Sequence, residues 1–367
     1  MKRTFLSGTY ILIAAAALSC GRTASVGQDL LPYVSSVLSD TSSVAYQVLD
    51  RYDPLDKNGT VAVIGPQSLT RQLTDYLMVC DIYDNIDARS ASDSLPDFSG
   101  EIFTPYYDIA DEPYEVFLED GDDNALRKVT VRNAVAAVAD KCYQNTFSRE
   151  PSVDKLPAKV LIYSSSFSET GIEDVDTLFS TFGKKVSVIS PVKSIAMCLA
   201  DSRPENRIGI WASSEVLASG VYARIFRDWN YGFDYVGFSP EGYATAEEGF
   251  FRFLDMYLST GEVTPLSALV IDDFSLSAEA DYIRAVAERV NSSTGDDYAV
   301  YRAMLADDFV VIDAVSAIAK TCYRLMRSEN LFTHRIAYPE SREYLIVDSS
   351  EPDENVKYIE YNQLYVH

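Results

Sequence analysis

Short apolar runs alternate with amphipathic helical segments along most of this chain. The runs are rich in Val, Ile and Leu and carry no polar face, which is typical of strands buried on both sides of a parallel sheet. A segment with helical periodicity follows each run, so the pattern predicts repeated strand–helix units and helix-covered sheets. The predicted strands cover residues 60–65, 159–163, 185–189, 208–212, 234–238, 266–271 and 309–312.

Two stretches depart from this alternation. Residues 85–125 are irregular, acidic and aromatic, and we expect them to form a solvated loop. In the tail, residues 331–367, the residues Tyr, Ile and Val alternate at 344–347 and again at 358–361. This alternation predicts one or two antiparallel strands added at the edge of a sheet.

The first residues have the features of an export signal. Lys2 and Arg3 precede a short apolar run at residues 10–18, which is too short to span a bilayer. Residues 17–21, Ala-Leu-Ser-Cys-Gly, resemble a bacterial lipobox. Cleavage before Cys20 would leave its thiol and amine for acylation, and the lipid would anchor the chain to a membrane. The expected location is the cell envelope, as a periplasmic or outer-membrane lipoprotein; an ordinary signal peptide is the alternative.

Charge and cysteine content exclude several classes of function. The formal net charge of −24 argues against nucleic acid as a partner and against electrostatic docking on anionic lipid. The cysteines that follow Cys20 show no C-x-x-C spacing, and the chain has two histidines, so we expect neither a metal site nor a cofactor. Pairing of Cys80, Cys142, Cys198 and Cys322 in disulfides is left open.

Residues 207–222 combine an apolar run, a polar turn and a Ser-Gly pair that opens a helix. They read Arg-Ile-Gly-Ile-Trp-Ala-Ser-Ser-Glu-Val-Leu-Ala-Ser-Gly-Val-Tyr and resemble a motif of the aspartate/glutamate racemase superfamily. Residues 188–196 and 311–319 resemble two further motifs of that family, in its order and near its spacing. The resemblance covers roughly residues 60–327 of this chain.

The resemblance implies two similar α/β domains that face each other across a cleft. In the family, each domain carries a cysteine at the C-terminal end of a strand. One thiolate removes the α-proton of an amino acid, and the other thiol returns a proton to the opposite face, without a cofactor. The thiol is suited to this role because its ordinary pKa, about 8.5, can be tuned towards neutrality.

This chain departs from the family at both cysteines. Ser164 stands where the first cysteine is expected, with Ser165 and Ser166 at the neighbouring Asn and Thr positions. Asp273 stands at the second cysteine, and Ser275 at the histidine that follows it. A serine hydroxyl is a far weaker acid than a thiol and needs an adjacent base, so these changes remove the two-thiol mechanism.

These positions define the candidate site. Ser164 and Asp273 are the candidate catalytic residues, although Asp272 and Asp273 also fit a helix cap. A small ligand, either an amino acid or a dicarboxylate, is expected to contact residues around them. The candidate ligand-binding residues are Gly65, Ser165, Ser166, Ser213, Asp272 and Ser275.

The expected protein is therefore an exported lipoprotein with a racemase-like fold that is inactive as a racemase. One alternative is an enzyme of altered chemistry that uses Ser164 and Asp273 as nucleophile and acid/base. Another is an envelope interaction protein, and homodimerisation is left open. The predicted divisions are residues 1–19 (signal peptide), 20–58 (tether and short helix), 59–188 with 291–330 (first domain), 189–290 (second domain) and 331–367 (β extension).

Overall fold

The computed structural model describes residues 30–87, 89, 91–119, 123–205, 207–229, 231–349 and 356–362. The strands are β1 Thr60–Gly65, β2 Ile102–Asp108, β3 Lys141–Cys142, β4 Val153–Asp154, β5 Ala158–Tyr163, β6 Ser187–Ile189, β7 Arg207–Ala212, β8 Tyr235–Phe238, β9 Leu266–Asp272, β10 Leu305–Asp313, β11 Glu340–Ser341, β12 Tyr344–Val347 and β13 Lys357–Glu360. The α-helices are α1 Pro32–Ser39, α2 Val44–Arg51, α3 Gln67–Val79, α4 Glu115–Glu119, α5 Asp123–Val138, α6 Ile172–Thr181, α7 Pro191–Ser202, α8 Ser214–Ala218, α9 Val221–Asp228, α10 Ala246–Ser259, α11 Phe274–Ser277, α12 Ala280–Ser292, α13 Ala299–Arg302 and α14 Ala314–Ser328. Short 3-10 helices lie at Ser166–Thr170 and Asp296–Tyr298.

Two parallel sheets organise these elements. The first sheet has the order β13-β12-β2-β1-β5-β6, with β11 also beside β2, and the second has the order β10-β9-β7-β8. All pairings in these two sheets are parallel except that between β12 and β13. This confirms the predicted α/β class with two parallel sheets and a C-terminal β extension.

The two sheets share one helical layer. Alternate residues of a strand point to opposite faces of its sheet, so each sheet has an inner and an outer face. The inner faces, at Val61 of β1 and Ile208 of β7, belong to one continuous apolar core that also includes α3, α7, α9 and α14. Separate apolar cores cover the outer faces, with α1, α2, α5 and α6 on the first sheet and α10 and α12 on the second. The molecule is thus layered as helices, sheet, helices, sheet, helices.

The position of β10 differs from the predicted division of the chain. Residues 291–330 were expected to return to the first domain, but β10 pairs with β9 in the second sheet. Consecutive strand–helix–strand units favour neighbouring positions in one sheet, and α12 connects β9 to β10 in this way. The second sheet therefore continues past the predicted boundary at residue 291, because it includes β10. Helix α14, which follows β10, lies in the helical layer that the two sheets share.

Strand β2 lies within residues 85–125, where the sequence predicts a solvated loop. This prediction was wrong: β2 pairs with β1 and is buried along nearly its whole length. Pro105 obscures the strand in the sequence because proline has no N–H for a sheet hydrogen bond. In the structure, Pro105 faces the gap between β11, which pairs with residues 102 and 103, and β12, which pairs from Tyr106 onwards.

The C-terminal strands lie at an edge of the first sheet, as expected. β13 is antiparallel to β12, whereas β12 itself is parallel to β2. All four cysteines in the described ranges are unpaired. No helix of the described residues is long and apolar enough to cross a membrane. The signal segment and Cys20 lie outside the described residues.

Candidate functional site

Ser164 follows β5 directly, at the C-terminal edge of the first sheet. Its backbone N–H donates to the Ile64 carbonyl over 2.9 Å, which continues the ladder between β5 and β1. Its hydroxyl lies 2.9 Å from the Thr70 hydroxyl on α3 and 3.3 Å from the Ile64 carbonyl oxygen. The side chain is buried, at 1% exposure, so these neighbours supply the hydrogen-bond partners of its hydroxyl.

Gly65 makes room for this arrangement. It ends β1 with a φ of +147°, and a Cβ built on it would lie 2.4 Å from the Ser164 Oγ. A contact that short is repulsive, so a side chain here would displace the serine hydroxyl. Gly65 therefore acts as a packing position beside Ser164, in a backbone conformation that favours glycine.

Ser166 connects the two sheets. Ser165 accepts a hydrogen bond from the Phe167 N–H and begins the 3-10 helix at Ser166–Thr170. This turn carries Ser166 towards the second sheet, where its hydroxyl donates to the Asp272 carboxylate over 2.7 Å. The C-terminal edges of the two sheets, one at β5 and one at β9, therefore meet through a hydrogen bond between Ser166 and Asp272.

Asp272, the last residue of β9, receives a second hydrogen bond. The Tyr222 hydroxyl on α9 donates to the same carboxylate oxygen over 2.8 Å. Desolvation raises the pKa of the Asp272 carboxyl, while the hydrogen bonds from Ser166 and Tyr222 oppose that shift. No cationic side chain pairs with Asp272 in the described part of the chain.

Asp273 and Ser275 have a local structural role. The Asp273 carboxylate accepts hydrogen bonds from the Ser275 N–H over 2.9 Å and from the Ser275 hydroxyl over 2.6 Å. Asp273 is thus the N-cap of α11, as the capping alternative proposes for this residue. Asp272, by contrast, takes no part in the cap and accepts its hydrogen bonds from other elements.

Ser213 follows β7 on the second sheet. It is exposed and caps α8 by accepting a hydrogen bond from the Val216 N–H over 3.2 Å. The hydrogen bonds thus join Ser166 to Asp272, whereas those of Ser164 go to Thr70 and Ile64 and those of Asp273 to Ser275. The pair that bridges the two sheets is not the candidate catalytic pair Ser164 and Asp273.

Further polar residues at this edge were not singled out from the sequence. Glu169, on the 3-10 helix, is buried, accepts a hydrogen bond from the Ser190 hydroxyl and pairs with the Lys193 ammonium over 2.9 Å. Ser190 also accepts from the Lys193 N–H and caps α7. The cap followed by Pro191 at the first helical position is a helix-start signal, but nothing in the sequence links it to Glu169.

In the described part of the chain, cysteines and metal-ligating side chains do not cluster at this edge. None of the four described cysteines lies at or directly after the C-terminal end of a strand in either parallel sheet. Burial raises the pKa of each of the thiols of Cys80, Cys142, Cys198 and Cys322. Among the described residues, no cluster of His, Cys, Asp and Glu is arranged to hold a metal ion.

No family model and no curated protein matches this chain. The solved structures with a similar chain path include the glutamate racemase of Francisella tularensis in complex with D-glutamate, at 16% identity and a TM-score of 0.46, over 80% of this chain and 89% of that one. They also include glutamate racemase isoform RacE1 from Bacillus anthracis, at 11% identity and a TM-score of 0.49, over 80% and 90% of the two chains. An aspartate racemase homologue from Pyrococcus horikoshii is 12% identical with a TM-score of 0.37, over 73% and 99%. At these values the likeness carries no weight for the reaction of this chain, whose fold class rests on its own sheets.

Proposed function

We propose that this protein is an exported, lipid-anchored member of the racemase-like proteins that has lost racemase chemistry and binds a small amine-bearing ligand. The observation that carries the proposal is the content of the edge where the two sheets meet. Ser166 and Tyr222 donate hydrogen bonds to Asp272 there, and Ser164 and Asp273 occupy the two positions at which the resemblance implies thiols. The ordered motif resemblances and the lipobox at Cys20 supply the remaining support.

The loss of racemisation follows from the chemistry of the two substituted positions. Proton removal and return across one carbon need two groups of similar acidity. Ser164 is buried against Thr70 and Ile64, with no histidine or carboxylate among its hydrogen-bond partners. Asp273 is occupied by Ser275. These bonds also give no support to a nucleophilic Ser164 activated by Asp273.

An amine is the ligand group that Asp272 suits best. The carboxylate is partly desolvated and holds two neutral hydroxyl donors, but no cationic side chain neutralises it. A ligand ammonium would supply the missing positive charge, and a charge-assisted hydrogen bond is about twice as strong as a neutral one. Amino acids carry such a group, whereas simple dicarboxylates do not.

Thermal unfolding with matched ligand pairs tests this assignment. We expect aspartate or glutamate, in one or both enantiomers, to raise the Tm, and succinate and glutarate to leave it unchanged. Asp272→Asn keeps an acceptor for Ser166 and Tyr222 but loses the charge, so it should abolish the shift. The control is Asp273→Asn, because Asn also caps helices well and should keep the shift. A shift that survives in Asp272→Asn, or no shift with any amine, would refute the ligand assignment.

The absence of racemisation is tested by exchange of the α-proton. We expect glutamate and aspartate incubated with the protein in deuterated water to keep their α-protons in NMR spectra. Chiral chromatography should show unchanged enantiomers over the same time. Deuterium uptake above that of a boiled sample would sink the proposal that the chemistry is lost.

The lipid anchor is tested in cells by metabolic labelling with an alkyne fatty acid. We expect the wild-type protein to carry the label and to sediment with membranes, and Cys20→Ser to lose both properties. Cys198→Ser, which changes a half-buried thiol on α7, is the control and should keep the label. A labelled Cys20→Ser protein would exclude acylation at that residue.

A further inference from the structure

Lys155 is a buried lysine at the junction of the C-terminal strands with the rest of the first sheet. It lies between β4 and β5 and is 8% exposed. Its Nζ donates to the Tyr106 hydroxyl on β2 over 2.8 Å and to the Ala137 carbonyl at the end of α5 over 3.0 Å. The side chain therefore reaches from the segment between β4 and β5 to β2 and to the end of α5.

Tyrosine rings from three strands surround this nitrogen. The Lys155 Nζ lies 5.4 Å from the ring centre of Tyr106 on β2, 5.7 Å from that of Tyr344 on β12 and 5.9 Å from that of Tyr358 on β13. Tyr106 and Tyr344 also stack on each other, with ring centres 5.0 Å apart. Two of the three rings belong to the C-terminal strands, so the environment of Lys155 exists only while β12 and β13 are docked.

No carboxylate compensates a charge on Lys155. Within the described ranges it forms no ion pair, and Asp140, the carboxylate whose charge acts on it, pairs with Arg51 over 3.3 Å. The other titratable or charged groups around this junction are the thiol of Cys142, the hydroxyls of Tyr106, Tyr143, Tyr344 and Tyr358, the carboxylate of Glu360 and the ammonium of Lys357. Lys357 is itself held by the Thr146 carbonyl over 2.5 Å and lies over the ring of Tyr143.

The hydrogen bonds of Lys155 fit a neutral amine. A neutral amine has two N–H groups, and the structure gives the Nζ two oxygen acceptors. An ammonium has three N–H groups, so its third would have no oxygen acceptor and only the cation–π attraction of the tyrosine rings. Burial also favours the neutral amine, because desolvation lowers the pKa of Lys155 to about 7. The charges of Cys142 and Asp140 oppose that shift.

We propose that Lys155 acts as a proton-operated clasp that docks the C-terminal strands β12 and β13 when its amine is neutral and loosens them when it is protonated. The sign follows from linkage between proton binding and docking. An undocked, hydrated Lys155 has an ordinary pKa near 10.4. Between about pH 7 and 10.4 the undocked state therefore binds more protons, and docking strengthens with rising pH by up to tenfold per pH unit. Below about pH 7 both states hold the proton, and the docking equilibrium no longer changes with pH through Lys155.

Undocking has a defined structural consequence. Strand β12 pairs along Tyr106–Asp108 of β2, and β13 pairs with β12 and forms one further bridge, between Ile359 and Tyr143. Release of the pair turns β2 into an edge strand with unpaired N–H and C=O groups, which is a site for pairing with another chain. The clasp thus makes the exposure of one sheet edge depend on pH.

Hydrogen exchange read by mass spectrometry tests the clasp. Peptides that contain β12 and β13 are followed at pH 6.5, 7.5 and 8.5, and rates are corrected for intrinsic exchange. We expect the opening constant of these strands in the wild-type protein to fall up to about tenfold from pH 7.5 to 8.5. Peptides of β7 and β9 in the same samples report global unfolding, which also exposes Lys155, so their opening constants should show the same slope at much lower values. A flat profile for β12 and β13, or opening constants for these strands as low as those of β7 and β9 at every pH, would overturn the proposal.

Two variants separate the effect of the charge on residue 155 from the effect of its packing. Lys155→Met is neutral at every pH and should show low, pH-independent opening. Lys155→Arg is charged at every pH and should show high, pH-independent opening. A wild-type slope in either variant would assign the pH dependence to another group. If neither variant folds, the ¹³Cε shift of Lys155 in the wild-type protein decides: a titration midpoint near pH 7 supports the clasp, and one near 10 overturns it.

Discussion

At the scale of residues, the edge between the sheets depends on close pairs of small and polar side chains. Ser164 can be buried because Thr70 and the Ile64 carbonyl satisfy its hydroxyl, and because Gly65 leaves room for it. Asp272 can end a buried strand because Ser166 and Tyr222 both donate to it. Each pair is a specific steric or hydrogen-bonding contact, so its members should not be independent in mutational experiments.

Gly65 and Ser164 should be coupled. Gly65→Ala places a methyl group 2.4 Å from the Ser164 Oγ and forces a side chain onto a φ of +147°, so we expect a loss of about 3 kcal/mol in the free energy of unfolding. In a Ser164→Ala background the nearest remaining atoms lie 3.6 Å and 3.7 Å away, so the loss should shrink by about 1 kcal/mol or more. Urea unfolding of the four proteins measures this; strictly additive losses would contradict it.

Asp108, the last residue of β2, should make stability depend on pH. It is fully buried, and desolvation followed by the charge of Asp111 raises its pKa to about 7. The folded state therefore holds a proton that the unfolded state releases between about pH 4 and 7, so this carboxyl lowers stability as pH rises through that range. Asp108→Asn should remove the effect and gain on the order of 3 kcal/mol relative to wild type from pH 4 to 7.

Chemical denaturation at a series of pH values checks this expectation. The exposed Asp296 supplies the control, since Asp296→Asn should leave the pH profile of the wild-type protein unchanged. Parallel profiles of Asp108→Asn and wild type would show that Asp108 is ionised in the folded protein across the range.

At the scale of elements, the C-terminal strands are part of the first sheet and not an appendage to it. β12 extends the ladder of β2, and Tyr344 is buried against both Tyr106 and Lys155. The backbone of β11 also pairs with the start of β2. The C-terminal strands therefore contribute both hydrogen bonds and apolar contacts, so their loss should destabilise the whole first sheet.

Two tyrosines near this edge should differ sharply when truncated. Tyr344 is buried and stacked, so Tyr344→Ala should cost roughly 3 kcal/mol in the free energy of unfolding. Tyr338 is 72% exposed, so Tyr338→Ala should change it by less than about 0.5 kcal/mol. Thermal or urea unfolding of both variants measures the two losses. A loss in Tyr344→Ala as small as that in Tyr338→Ala would mean that the C-terminal strands do not stabilise the fold.

At the scale of the whole molecule, the helical layer between the sheets makes the two halves one structure. Residues of both inner faces and of α7 and α14 belong to a single apolar core. A core of this kind couples the stability of its parts, because unfolding one sheet exposes apolar surface of the other. The halves should therefore unfold together.

Leu254→Ala tests this coupling from a distance. Leu254 lies on α10 and packs on the outer face of the second sheet, away from the shared layer. We expect a loss of about 2–5 kcal/mol, with hydrogen-exchange protection falling equally in β9 and in β1 of the first sheet. Ile318→Ala, in α14 of the shared layer, is the matched variant and should lower both in the same way. Unchanged protection of β1 in Leu254→Ala would mean that the sheets unfold independently.

Sequence alone determined the class of fold because β-branched runs and helical periodicity are local properties. Each predicted apolar run is a strand, and the alternation of strands and helices fixes parallel sheets covered by helices. The sequence did not predict strand β2, because Pro105 breaks the local pattern. The proline is acceptable there only because Pro105 lies opposite the gap between β11 and β12.

Only the tertiary structure decided which residues meet. Sequence position pointed to Ser164 and Asp273, but a turn of 3-10 helix brings Ser166 to Asp272, and α9 adds Tyr222. The assignment of β10 to the second sheet and the tyrosines around Lys155 likewise depend on strands distant in the chain. Local patterns specify which face of an element is apolar, whereas the partner across that face is chosen by long-range packing.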